Sequence, residues 1–391
     1  MMKKILVLNH FPTALPPTSG GTLRYFHIYE NLSRFYDVTL LSQTFGNKGG
    51  LFHYSSSFRE YKVAKDHFYN KIVQDLQHNE LTYEFALIIQ TELAKHPTLF
   101  KNHFKSLYPS SDVVIHESPF LLNYDSYIRK DHKPRVYNSH NHEFMLAEQI
   151  WKNKEARSYL PAVFDLEKNL VNNADLVFST SAIEKKLFAA KYNVDPSKIK
   201  LAPNGIHPDG WLPRKEGANK KTLAFFIGAD YPPNVEAVGY IVDHLADCCP
   251  EMDFLIAGGC CSPFSNAPCK PNVRLLGRVR HKQKIKLLAE ADIAINPMFT
   301  GAGVNLKTLE YLSAGIPLFS THCGVRGLEL IDKKHYIHAE KKDFASKLNH
   351  HAGDHILLRK VAARGQNFVN EHYSWRSIVH RMKGEIDKLL F

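Results

Sequence analysis

No apolar run in these 391 residues approaches the ~18 that a transmembrane helix requires. The amino terminus, Met1–His10, has the two lysines of a signal peptide's charged region. Its apolar stretch Ile5–Leu8 stops at Asn9, too early for a hydrophobic core region. It reads instead as a buried first strand, and the protein as cytoplasmic. The six cysteines (Cys248, Cys249, Cys260, Cys261, Cys269 and Cys323) include two adjacent pairs and no C-x-x-C spacing, which argues against zinc ligation and for reduced structural thiols. The absence of G-x-G-x-x-G disfavours a nicotinamide-type dinucleotide site. Nucleic acid is disfavoured too, because no aromatic-basic motif or helix-turn-helix signature is present. There is no short-period repeat and no low-complexity tail.

What the chain does have is positive charge. Lys and Arg number 50 against 39 Asp and Glu, a formal net charge of +11. Such a balance points to an anionic partner, whether a phosphorylated ligand or an acidic membrane surface. Hydrophobic residues make up 44% and charged residues 23%, as in globular proteins, and the length suits two domains.

Short apolar runs alternate with stretches of helical period. The runs are Ile5–Leu8, Val38–Leu41, Val113–Ile115, Leu176–Phe178, Leu223–Ile227, Phe254–Ala257, Ile293–Ile295 and Leu318–Phe319. Continuous apolar runs fit strands buried on both faces. Tyr25, Ile28, Leu32 and Phe35 mark one apolar helix face, and Val235, Val238, Val242 and Leu245 another. The alternation predicts an α/β protein with doubly wound parallel sheets. It runs from Ile5 to about Leu201 and restarts at Leu223, with a polar hinge over Asn204–Lys221. Phe45–Ser57 reads as a surface loop, and Tyr61–Ser106 as a mostly helical insertion. Ser374 is a plausible N-cap for a closing helix whose face is Trp375, Ile378, Val379, Met382, Ile386 and Leu389.

Ligands of open parallel sheets bind at strand carboxyl ends, near helix amino ends. Ser19-Gly20-Gly21-Thr22 opens the first helix. Gly-Gly lets a backbone approach an anion closely, and equally makes a flexible turn. The stronger signal is Asn296–Pro317. There the strand Ile293–Ile295 enters the loop Thr300-Gly301-Ala302-Gly303, a helix starts near Val304, and Gly315 with Pro317 ends it. The amino end of that helix suits a diphosphate, and Lys307 in its first turn can add a full charge. Glu310, three residues on, can accept hydrogen bonds from a ribose diol. Alternatively the two form a solvated helix pair.

The combination of segments resembles the GT-B glycosyltransferases of the GT4 type, over nearly the whole chain. Gly301–Pro317 with Ser320-Thr321 resembles the family's donor loop and helix. Phe226–Asn234 is similar to a variant opening of the second domain, Ala202-Pro203-Asn204-Gly205 to the hinge, and Tyr137–Glu143 to the first-domain histidine motif. Tyr373-Ser374-Trp375 resembles the start of the final helix. The resemblance implies two Rossmann-like domains facing across a cleft. Residues 1–203 would bind the acceptor, 204–372 the nucleotide-sugar donor, and helix 373–391 would return to the first domain. It implies a retaining transfer of sugar from a nucleoside diphosphate to an acceptor hydroxyl of a glycan, lipid-linked or small molecule. Attack would be same-face, and the departing phosphate would take the acceptor's proton.

By the same resemblance Glu310 would bind the ribose, while Gly301, Gly303, Val304, Asn305 and Lys307 would hold the diphosphate. Val279 would meet the base through its backbone, Gly20 and Gly21 would face the diphosphate, and His140 would sit near the sugar. His140, Lys307 and Glu310 are the expected catalytic residues. Read alone, His140 could equally be a satisfied loop histidine. The chain departs from the family at three places. The first glutamate of the E-x7-E pattern is Ala302, and the usual Arg and Lys after the Phe-x-Gly strand are Ala229 and Asn234. The diphosphate then depends on Lys307, with Arg278 and Arg326 as lesser candidates. No D-x-D motif lies near the loop, so no metal and no cofactor is expected beyond the donor substrate. A nucleotide-sugar epimerase or hydrolase, and a catalytically silent sugar-nucleotide binding protein, are the alternatives. Basic-aromatic segments at Lys65–Lys71 and Lys101–Lys105 suggest peripheral, salt-sensitive contact with anionic membrane.

Overall fold

The computed structural model describes residues 2–17, 20–44, 46, 48–76, 82–128, 130–215, 220–265, 270–301 and 304–391. The chain divides into two compact units. One is Met1–Pro203 with Ile378–Phe391, and the other is Asn204–Ser377.

The first unit holds β1 (Lys4–Asn9), β2 (Asp37–Gln43), β3 (Gly50–Ser55), β4 (Phe58–Val63), β5 (Val113–His116), β6 (Arg135–Asn138), β7 (Leu176–Ser179) and β8 (Ile199–Leu201). Their order across the sheet is β3-β4-β2-β1-β5-β6-β7-β8. All neighbours pair in parallel except β3 and β4. The four predicted runs of this half lie in β1, β2, β5 and β7. The expected surface loop at Phe45–Ser57 is instead largely strand. β3 faces solvent along nearly its whole length, so it carries no apolar alternation to announce it. Its partner β4 turns Glu60 inward, fully buried, where the carboxylate accepts from Thr13, Ser42 Oγ (2.6 Å) and Tyr54 OH (2.6 Å).

The first helix, Gly20–Leu32, buries Tyr25, Ile28 and Leu32 as its period predicts. Phe35 does not belong to that face. The chain turns after Leu32, whose carbonyl accepts from the N–H of Phe35 (2.9 Å) and Tyr36 (3.1 Å), so Tyr36 takes the inward position and Phe35 is left 39% exposed.

The second unit holds β9 (Thr222–Ile227), β10 (Met252–Ala257), β11 (Val273–Leu275), β12 (Ile293–Asn296), β13 (Leu318–Ser320) and β14 (Ile337–His338), all parallel, in the order β11-β10-β9-β12-β13-β14. Successive residues of a strand point to opposite faces. Phe226, Ile256, Ile295 and Phe319 enter one apolar cluster, while Phe225, Leu255, Ala294 and Leu318 enter the other. Burial on both faces is why these strands read as unbroken apolar runs. The Val235–Leu245 pattern falls on helix Pro232–Tyr240 and a π-helical turn at Ile241–Leu245.

Asn204–Lys221 carries no helix or strand among its described residues, only an isolated bridge from Ile206 to Ser374. Ser374 Oγ accepts from the Ser377 N–H (3.2 Å), and helix Trp375–Leu390 follows. Its residues Ile378, Val379, Met382 and Ile386 are buried, and Tyr36 OH donates to Asp387 (2.7 Å) in the first unit. Among the described residues no helix is long and apolar enough to cross a membrane, and the five described cysteines are free thiols.

Met382 and Ile386 are fully buried although they lie within ten residues of the carboxyl terminus. Met382→Ala and Ile386→Ala should each cost about 2–5 kcal/mol, read as a lowered urea midpoint. Unchanged midpoints in both would show that the terminal helix is not packed.

Candidate functional site

In the second unit the sheet reverses its winding between β9 and β12. A crevice opens at such a switch point, outside the strand carboxyl ends. β9 leads into Gly228-Ala229-Asp230 and β12 into Pro297–Gly301. Beyond the latter loop, helix Leu306–Ser313 begins.

Lys307 joins the two sides. Its Nζ donates to Asn234 Oδ1 (2.7 Å), lies 4.2 Å from the Phe226 ring centroid, and is 3.8 Å from Met298 Sδ. Asn234 in turn donates to the Ala229 carbonyl (3.0 Å). Ala229 and Asn234 are thus both neutral, and Asn234 holds the lysine. Burial pushes Lys307 down from 10.5 to about 7, against the opposing pull of Cys260 and Glu310.

Glu310 is not paired with Lys307. Its carboxylate accepts from Lys284 Nζ (2.5 Å) on helix His281–Glu290, so the structure replaces the expected i,i+3 alternative with a contact between helices. Arg278 and Val279 lie in the turn just before that helix. Arg278 is exposed, and Val279 packs partly buried against the core.

The helix starts at Leu306 rather than Val304, which packs partly buried, and Asn305 stands at its N-cap without a side-chain capping bond. The Asn305 amide donates instead to the carbonyls of Cys323 (3.1 Å) and Gly324 (3.3 Å). The Gly324 carbonyl also accepts from Asn296 Nδ2 (3.1 Å) and Thr308 Oγ1 (2.7 Å). Residue 324 must be glycine here, because a Cβ would sit 2.2 Å from Ser320 Oγ. Gly301 has φ +117°, and a Cβ there would be 3.1 Å from Arg326 Nη2, so the Arg326 guanidinium lies against the loop. Ala302 and Gly303 are outside the described residues, as is Ser19.

The first unit switches winding between β1 and β5, and a second cluster sits there. Glu117, just past β5, is 2% exposed. It accepts from Tyr29 OH, Asn138 Nδ2 (2.6 Å) and His140 Nε2 (2.6 Å). That bond leaves His140 Nδ1 directed at Gly21, where a Cβ would be 3.8 Å away. Gly20 and Gly21 open their helix half-buried. His142, by contrast, is buried and stacked on Phe188 (4.6 Å), which leaves His140 as the available histidine of the motif. His10 is half-buried, and its pKa falls to about 3, first through loss of solvent and then through the neighbouring His140. Arg24, 1% exposed, donates to Asn138 Oδ1 (2.7 Å) and to the carbonyls of Ala202 (2.6 Å) and Pro203 (3.1 Å).

Glu117, Lys284 and Arg24 are absent from the sequence-based candidates. Glu117 had one available signal, its place at the carboxyl end of an apolar run.

Two wound sheets, each with polar groups gathered at its switch point, make up a GT-B α/β protein. Residues 221–354 match the family of group 1 glycosyl transferases, and residues 78–209 match glycosyltransferase family 4. The chain belongs to these glycosyltransferases. No curated protein matches it by overall sequence. Among solved structures, sucrose-phosphate synthase from Thermosynechococcus elongatus superposes with a TM-score of 0.72 at 13% identity, covering 99% of both chains. Anabaena HepE in complex with UDP-glucose gives 0.65 at 13% identity over 98% of this chain and 99% of that one. WaaG, a glycosyltransferase involved in lipopolysaccharide biosynthesis, gives 0.64 at 15% over 98% and 99%.

Lys307 generates a stability prediction. Between pH 7 and 10.5 the unfolded chain binds more protons at this residue than the folded one, so its contribution to stability rises with pH through that window. Lys307→Met should therefore stabilise the second unit at pH 7, with the gain shrinking toward pH 9 in denaturant titrations. A gain independent of pH would contradict the burial argument.

Proposed function

We propose that this glycosyltransferase moves a sugar, with retention, from a nucleoside-diphosphate sugar to an acceptor hydroxyl. The observation that carries the reading is Lys307 at the switch point, half-buried over Phe226 beside the amino end of a helix without a side-chain cap. A diphosphate arriving there offers the charge that the protein withholds from this lysine. As the glycosidic bond breaks, negative charge grows on the departing phosphate, and a cation and backbone N–H groups already in place stabilise that state more than the ground state. Glu310, shared with Lys284, is assigned to the ribose. Val279 is assigned to the base, and Gly301, Gly303, Val304 and Arg326 to the phosphate loop. Asn305 then acts through its hold on Gly324 rather than by contact with the phosphates. Gly20 and Gly21 are assigned to the diphosphate and His140 to the sugar, where its Nδ1 can accept from a hydroxyl. HepE's complex with UDP-glucose supports UDP as the first probe.

The test is a panel of UDP- and GDP-sugars with glycan, lipid-linked and small-molecule acceptors, with the anomeric configuration of the product read by NMR. Retained configuration in an acceptor-dependent product is expected. Donor loss that is equal with and without every acceptor, or donor binding without transfer, would overturn the proposal. Glu310→Ala should weaken UDP by roughly 10–100-fold, the worth of a charge-assisted hydrogen bond. At pH 8 the wild-type chain should take up a proton with UDP, seen as a buffer-dependent binding enthalpy. Lys307→Met should bind more weakly and take up none.

Peripheral contact with anionic membrane is a further part of the proposal. Lys71 and Lys105 on the first unit are exposed, as is the neighbouring Leu99. Partitioning onto phosphatidylglycerol vesicles should fall severalfold between low and high salt, and salt-independent partitioning would count against it.

A further inference from the structure

Beyond the donor crevice, the far edge of the second sheet brings together two imidazoles and a carboxylate. The parallel register sets Ser320 opposite His338. Two residues further along each chain lie His322 and Glu340, and the Ala339 N–H still donates to the Ser320 carbonyl (3.0 Å). Residues two apart on an extended chain share a face, so His338 and Glu340 project together, with His322 alongside. The His322 and His338 rings lie 4.0 Å apart, His338 Nε2 is 3.4 Å from Glu340 Oε1, and one potential ligand atom from each of the three residues lies within 4.8 Å of the others.

We infer that His322, His338 and Glu340 form a binding site for a divalent transition-metal ion, with zinc the best match. Two imidazoles and one carboxylate are a borderline-soft N2O set, suited to zinc and ill suited to magnesium or calcium. Three protein ligands leave a coordination position for water. The carboxylate is already oriented, because Glu340 Oε1 accepts from the His322 backbone N–H (3.1 Å). The strand is steadied on both sides: Asp332 accepts from the His338 N–H (2.7 Å), and Asp343 accepts from the Glu340 N–H (2.7 Å). His338 Nδ1 is buried with no hydrogen-bond partner among the described residues, so the protein itself leaves this ring incompletely used. His322 is exposed and Glu340 half-exposed, so an ion can reach them from solvent. This conclusion revises the expectation of no metal, which rested on C-x-x-C and D-x-D patterns. The ligands here come from the ends of two adjacent strands and the segments just beyond them, and leave no local motif.

The site does not require the sugar-transfer reading, but it has a consequence for it. His322 begins the turn His322–Val325, whose Gly324 carbonyl holds Asn296, Asn305 and Thr308. An ion would tie the end of β14 to the turn that fixes the donor helix.

The test uses zinc alone. Chelator-stripped, reduced full-length chain is dialysed against buffered Zn2+ and its metal content measured. Wild type should retain about one equivalent and melt at higher temperature with zinc than without, as mass action requires. His322→Ala and His338→Ala should each lose the equivalent and the shift, while melting like wild type in the absence of metal. Glu340→Gln should bind at least roughly tenfold more weakly. Cys323→Ser should be unaffected, and Co2+ in the site should show no sulfur charge-transfer band. No binding by wild type, full retention in both histidine variants, or loss in Cys323→Ser would each overturn the assignment.

Discussion

A carboxylate removed from water needs hydrogen-bond donors, and much of the first unit is arranged around that requirement at Glu117. Leaving such a charge unpaired costs several kcal/mol. Its three donors come from two separate pieces of chain: Tyr29 on the first helix, and Asn138 at the end of β6 with His140 just beyond. Asn138 relays to Arg24, which is equally buried, so two opposite charges share one neutral amide between them. The carboxyl ends of the sheet are thereby held in register. The orientation of His140 follows from this arrangement, because its Nε2 is committed to Glu117.

The second unit solves the opposite problem. Its half-buried charge is a cation, and among the described residues no carboxylate touches it. Lys307 meets an amide oxygen, a thioether and an aromatic face. Those contacts are weaker partners than a carboxylate, and loss of solvent lowers the lysine's pKa. Glu310, the acid nearest along the helix, is occupied by Lys284. The two units share a winding principle and place their polar groups at the same kind of topological reversal, yet only the first satisfies its buried charge internally.

What could be read from the sequence followed burial. Runs such as Leu223–Ile227 and Phe254–Ala257 are strands because both faces are dry, and dryness leaves a mark in composition. β6 left none, since Arg135 is buried only by virtue of its bond to Asp125 (2.7 Å), and β3 left none because it faces water. β11 and β14 are too short for any period to register. Within the candidate site, the glycine loop and Lys307 were legible from a strand, loop and helix adjacent in sequence. The partners were not. Asn234 lies 73 residues from Lys307, Lys284 lies 26 from Glu310, and Glu117 lies 23 from His140, separations that only the folded sheet brings to contact.

The Gly324 carbonyl fastens both ends of the loop after β12: Asn296 where the loop leaves the sheet, and Asn305 where it meets the helix. A segment buckled at both ends on one oxygen behaves as an exchangeable cassette. Substitutions inside it leave that frame in place, because the amides that hold it stand at its two ends.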